Sequence, residues 1–450
     1  MPLRDLAILV VGYGCVPIAL IDAYYGLLAY CWLTFMKPQS LAWTWDVQAA
    51  SIIKWVAIAL ILRAVTVSGP KIRFQGPTLA FLALWFWFLL SSVFSVKWAL
   101  SQPYLEQFSK MAIAVLLITG LVRSRKQLKW LIVLLAWCPG FYAVKLGLFF
   151  ARSGGTVSTE GQVLGFDGND LAMFISMGIP MLVFGACEVH SRWGRRLMIA
   201  AAALAIPAVM VSTSRGGMLA MVIAVALTVW LKTQWWKAAL CGAVILGVVM
   251  VIPSVMVIIP AQSRERYEGI QSYEEDASAM GRLRAWKACT RMAADHPILG
   301  VGFGQDAYLE QYKLRYMDFT DPDDMARAAH SVWFSLMAET GYVGLCIYLL
   351  LIVTVVRTCR RVMKLAPPPG VERRKHWAWN YAAALLVAAI SFAIAGTFLS
   401  QARFEYAFAI YLASVPLGLI AGQEAEERIK PAATGAAAKG RPAPVPGMVA

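Results

Sequence analysis

Charge is scarce in this chain, histidine scarcer still, and cysteine follows no pairing pattern. Only 15% of the 450 residues are charged and 59% are hydrophobic, which excludes an ordinary soluble domain. The mean hydropathy of +0.62 points the same way. The eight cysteines are scattered, most of them inside apolar runs, and no Cys-x-x-Cys spacing suggests a zinc site or a disulfide frame. The first apolar stretch is followed by more apolar sequence, without a small-residue cleavage site, so it is expected to stay attached. A net charge of +15 is read as Lys and Arg gathered in cytoplasmic loops of a membrane protein, not as a nucleic-acid surface.

What is present is a series of apolar runs. Eleven of them between residues 50 and 422, among them 215–232, 237–259 and 331–356, are long enough for a span of about 20 residues. Residues 5–36 give roughly 48 Å of helix at about 1.5 Å per residue. Two perpendicular crossings with a turn need more, so this stretch is expected to cross once with a broken or interfacial end. The sum is an all-α, polytopic membrane protein of about 12 transmembrane helices. The loops holding Lys71 and Arg73, Arg123 to Lys126, Arg192 to Arg196, Lys232 to Lys237 and Arg357 to Lys375 then share one side, read as cytoplasmic together with both termini. Transmembrane helices are expected over 1–259 and 331–422, with one large periplasmic helical loop over 260–330. A disordered cytoplasmic tail, rich in Ala, Pro, Gly and charge, is expected over 423–450.

Five stretches bear on candidate chemistry. His330 begins "HSVWFSLMAETGYVGL", where it is expected to open a membrane helix with Trp333, Phe334 and Met337 on its face. An imidazole at a helix N-terminus has a lowered pKa and suits a general base; an amphipathic interface residue fits equally. Glu339, nine residues on and roughly opposite on a continuous helix, is expected to contact a basic group on another helix. In "VSTSRGGMLA", residues 211–220, Arg215 would begin a span beside Gly216 and Gly217. That suits phosphate oxygens, while a snorkelling arginine with close helix packing explains it too. In "GRLRAWKACTRMAADHPILGVGFG", residues 281–304, Arg282 and Trp286 share a helical face and Arg284 points about 200° away. The glycine-rich turn follows a helix, not a strand, so it is no dinucleotide fingerprint. "DPDD", residues 321–324, reads as a solvated turn rather than a metal site. Asn169 and Asp170 suit either sugar contact or helix capping.

Taken in chain order, "STSRGGMLA", then "GRLRAWKACTRMAADHPILGVGFG", then "HSVWFSLMAETGYVGL", flanking one large loop, resemble the three successive signatures of the O-antigen ligase and polymerase superfamily. "YEEDASAMGR" and the early "KPQSLAW" further resemble the exosortase-associated O-glycosylation ligases. The resemblance implies a lipid-dependent glycosyltransferase of the bacterial inner membrane, active at the periplasmic face without metal, nucleotide sugar or other cofactor. Its donor would be a glycan on undecaprenyl pyrophosphate and its acceptor the lipid A-core, with membrane lipids around it and no nucleic-acid partner. The essential histidine of the family corresponds to His330, and its essential arginines to Arg215 and Arg282. Arg284, Arg266 and Arg264 are further candidates for holding substrate. His330 would take the proton of the acceptor hydroxyl as it displaces the pyrophosphate with inversion. An O-antigen polymerase or a protein O-oligosaccharyltransferase shares that donor chemistry; a transporter of lipid-linked glycans would use the arginines without breaking a bond.

Overall fold

The computed structural model describes residues 2–152, 162–163, 166–212, 214–233, 277–321, 324–399 and 401–438. Apart from a two-residue antiparallel pairing of Gln162–Val163 with Phe166–Asp167, the regular elements described are helical. In chain order they are α1 (Leu3–Ile21), α2 (Ala23–Met36), α3 (Trp45–Gln48), α4 (Ile52–Arg63), α5 (Gly76–Val93), α6 (Trp98–Leu121), α7 (Arg125–Arg152), α8 (Gly168–Ala186), α9 (Arg192–Val211), α10 (Arg215–Lys232), α11 (Ala277–Asp295), α12 (Gln305–Gln311), α13 (Val332–Lys364), α14 (Trp377–Ala395) and α15 (Glu405–Ala438). Ten helices among the described residues are long and apolar enough to cross a membrane, and α10 is a shorter apolar helix. The chain is a multi-pass, all-α membrane protein. The expected span at 237–259, like Arg264 and Arg266, lies outside the described residues.

The basic loops meet on one face. Arg123 donates to the carbonyls of Ser68 and Gly69, Arg374 donates to the Thr233 carbonyl, and Asn380 joins Glu188 to Lys232. Inside the bundle, α8 is the most enclosed of the candidate spans. It packs against α7, α9, α10 and α14. Membrane helices gain no hydrophobic drive from one another and rely on close packing. Gly217 of α10 shows this: a Cβ there would strike Ala172 of α8.

The first 36 residues depart from the single crossing expected of them. Asp22 interrupts the run and caps α2, accepting from Tyr24 N–H at 2.7 Å and Tyr25 N–H at 3.2 Å. Tyr24 reaches the Gln127 carbonyl at 2.7 Å, which places the turn at the basic face. At the other end Asp5 binds Trp43 and Thr44 N–H at 2.9 and 3.0 Å, and Tyr142 binds the Met36 carbonyl. α1 and α2 therefore form a hairpin whose chain start lies opposite the basic loops, not with them. The length estimate failed because α2, at 14 residues only about 21 Å long, packs against α1, α4 and α7 and need not match a full bilayer core. The tail also differs from expectation. α15 continues past Gln423 to Ala438, supported by an Arg428–Glu424 pair one turn apart at 3.1 Å and by the high helix propensity of its alanines.

Residues 277–321 and 324–330 form a helical cap on the face opposite the basic loops. Cys289, Met292, Val301, Tyr308 and Tyr312 bury a second core that closes on Ala338 of α13. The cap is fastened through α13 itself. At Gly341 the backbone leaves helical geometry (φ 71°, ψ 179°), and the segment 297–304 fills the break. Val301 N–H donates to the Ala338 carbonyl, Gly302 N–H to that of Glu339, and Tyr342 N–H back to that of Pro297. Phe303 enters the membrane core and stacks on Phe88 with centroids 4.0 Å apart. "GVGFG" is thus a plug, its glycines at φ 70°, 125° and 119° tracing a path that L side chains rarely adopt.

Candidate active site

His330 does not open the helix as expected; it precedes it in a left-handed turn (φ 46°). Ser331 occupies the N-cap position of α13. The backbone reverses here because both sides of the turn are held. Trp286 Nε1 of α11 donates to the Ala329 carbonyl at 2.7 Å, and its ring stacks on Phe334 at 4.8 Å with planes 9° apart. Histidine tolerates this backbone region better than most residues, at a cost of about 1–2 kcal/mol. With the chain turned, His330 stands outside the helical face predicted from spacing.

Three charges act on it. Burial, then the neighbouring Arg282 guanidinium, hold the His330 pKa below its usual 6.5, with Arg327 acting in the same sense and Asp167 opposing. The neutral imidazole is favoured, the form a proton acceptor needs. His330 stands two positions before the first helical residue, Val332.

The remaining candidates separate. Arg282 lies one turn before Trp286 on α11, beside His330 in its electrostatics. Arg284, pointing elsewhere as its spacing requires, pairs with Asp321 at 2.7 Å and ties α11 to the turn it faces. That turn is not simply solvated: Asp324 is buried and accepts from Tyr312 Oη and Asp318 N–H, both at 2.7 Å. The backbone of Arg215 begins α10, where Ser214 Oγ caps Gly217 N–H at 3.1 Å; its side chain lies outside the described residues, as do Arg266 and Arg264. Glu339, expected to meet a basic group, has the Arg403 charge acting on it from the segment just before α15, and it also accepts from Gly304 N–H at 2.9 Å, locking the plug.

Two residues beside His330 were not anticipated. Arg327, whose guanidinium lies against Gly281, is three positions before His330, and helical periodicity applied only downstream of the histidine passes over it. Asp167 caps α8 by accepting from Asn169 N–H at 3.4 Å, the role considered for its two neighbours. Asp170 accepts from Gln401 Nε2 at 2.6 Å.

No curated protein matches the chain. One chain of a solved structure, described as "Structural coordination of polymerization and crosslinking by a peptidoglycan synthase complex", is 18% identical, with 77% of this chain and 96% of that chain covered and a TM-score of 0.43; likeness of that degree carries no functional argument. Residues 199–349 match the family described as O-antigen ligase. The matched segment includes the start of α10, the helix bearing Arg282 and Trp286, the glycine plug and His330, so the similarity to the O-antigen ligase family falls on most of the elements that build this site, Asp167 and α8 lying before it.

Proposed function

We propose that the protein transfers a preassembled glycan from undecaprenyl pyrophosphate to a hydroxyl of lipid A-core, with His330 as general base. The observation that carries this reading is the environment of His330, a neutral imidazole held between arginines where a polar cap meets the membrane helices. In the reaction the acceptor oxygen forms a bond to the anomeric carbon while the bond from that carbon to the pyrophosphate oxygen breaks. The hydroxyl proton passes to the imidazole, and undecaprenyl pyrophosphate leaves as an anion. Attack from the face opposite the leaving group inverts the anomeric centre. Arg282, Arg327 and Arg215 supply fixed positive charge for the developing pyrophosphate, a planar donor geometry that suits phosphate oxygens. Lys and Arg accumulate on cytoplasmic faces, so the basic face is assigned to the cytoplasm and the site to the periplasmic side of the inner membrane.

The test is reconstitution of the purified protein with undecaprenyl pyrophosphate-linked glycan and lipid A-core in the presence of EDTA. Wild type is expected to form the conjugate, while His330→Asn, Arg282→Ala and Arg215→Ala, folded as judged by thermal unfolding, lose activity by at least about 100-fold. Undecaprenyl pyrophosphate release only when a peptide or a second lipid-linked glycan is supplied would replace the acceptor and retain the donor chemistry. Passage of the lipid-linked glycan across the bilayer with no conjugate formed would make the protein a transporter.

A further inference from the structure

A concavity with both polar and apolar walls opens between the end of α2, α6, α8 and the segment leading into the first turn of α15. Its volume is about 340 Å³, and Lys37, Gln39, Gln401, Arg403 and Glu405 line it alongside the ring of Phe404. Small-molecule pockets run from about 300 to 1,000 Å³.

One feature marks it as built for a ligand. Gln39 Oε1 and Arg403 Nη1 are buried without a hydrogen-bond partner, an acceptor and a donor of the kind native structures seldom leave unpaired. Lys37 ends α2 in a left-handed cap (φ 47°), its N–H donated to the Leu33 carbonyl.

Charge and shape then select the occupant. The Lys37 ammonium feels the carboxylates of Glu405 and Asp170, so a phosphate placed here would meet negative charge along with positive. A lipid tail would leave Gln39 and Arg403 unpaired. A neutral pyranose answers both demands: its hydroxyls donate to Gln39 and Glu405 and accept from Arg403, and its C–H face rests on Phe404. Gln401, in the cavity wall, binds Asp170, which stands about one turn along α8 from Asp167, the carboxylate acting on His330. We propose that this cavity is a sugar subsite, holding a neutral pyranose unit of a glycan substrate beside the transfer site; this rests on the glycan-transfer reading above.

The sugar belongs either to the donor or to the acceptor, and the experiment separates the two. Saturation-transfer NMR is recorded on the full-length protein in detergent with a lipid-free oligosaccharide of the O-polysaccharide, and separately with deacylated core oligosaccharide. One of them is expected to bind wild type and His330→Asn alike, and to bind Gln39→Leu roughly tenfold more weakly, a loss of about 1.4 kcal/mol. In steady-state transfer the KM for that same partner rises about tenfold in Gln39→Leu, while kcat stays within about twofold, since the residue acts equally in ground and transition states. Gln39→Leu removes an amide oxygen that has no partner, so the fold is expected to hold, and thermal unfolding checks it. Gln39→Glu, matched in volume, adds a charge beside Glu405 and provides a second variant. Transfer by wild type with neither oligosaccharide bound, and both KM values unmoved by Gln39→Leu, overturns the subsite and leaves the transferase intact. Binding sensitive to Gln39→Leu in a protein that transfers nothing retains the subsite and overturns the transferase. Displacement of either oligosaccharide by undecaprenyl phosphate alone makes the cavity a lipid-headgroup site and overturns the sugar assignment.

Discussion

At the scale of the residue, His330 combines a left-handed backbone with a depressed pKa, and each has its own consequence. Asparagine tolerates left-handed backbone better than alanine does. His330→Asn should therefore melt close to wild type, whereas His330→Ala should lose about 1 kcal/mol; both should be inactive. Because burial and Arg282 favour the neutral imidazole, activity should be present above the lowered pKa and fall as the pH drops through it, with the acid limb below 6.5. Arg327→Gln removes a repelling charge and should move that limb up; Asp167→Asn removes an attracting one and should move it down. A pH–rate profile that ignores both changes would deny His330 the role of base. The sequence makes His330 visible as a lone histidine at the mouth of an apolar run, but Arg327 and Asp167 come to it through a reversed backbone and another helix, which local spacing does not encode. Arg284 is the converse case: its divergence from Arg282 is legible in the helical period, but its partner Asp321 is not, since the pairing spans 37 positions.

At the scale of the element, the decisive feature is the interruption of α13. "ETGYVGL" looks like small residues in a continuous helix, and on that assumption Glu339 needs a charged partner. The Arg403 charge does act on it, and the plug seated in the break adds a backbone N–H, donated by Gly304. Gly341 has a positive φ, and an added Cβ would meet the Ile298 and Pro297 carbonyls; Gly341→Ala is expected to abolish recovery of folded protein from detergent. Phe303→Ala deletes a ring packed on Phe88 and Phe108 and should destabilise by about 3–5 kcal/mol, measured by thermal unfolding. If Phe303→Ala melts like wild type, the plug is not a structural fastening. Elsewhere the helices were largely readable from apolar runs, while their ends depend on side chains arriving from other elements.

At the scale of the whole molecule, the hairpin of α1 and α2 reverses the side on which the chain begins, although the basic loops correctly gather on one face from residue 71 onward. A cysteine at Leu3, which is 86% exposed, in a background freed of the native cysteines, is expected to react with an impermeant maleimide added from the periplasmic side. A cysteine at Ser124, in the basic turn, should react only after the membrane is opened. The same label pattern at both positions would return the first helix to the cytoplasmic orientation first expected. The native thiols described are all free, so replacing them breaks no covalent link. The plug in α13 has a further consequence in time. Residues 297–304 leave the ribosome before the segment 338–342 that receives them, so the cap must wait, unfastened, until the next membrane helix arrives and opens its backbone to it. The site around His330 is then among the last parts of the protein to form, and a chain cut short before residue 345 carries every arginine of the site but has no finished helix in which to lock them.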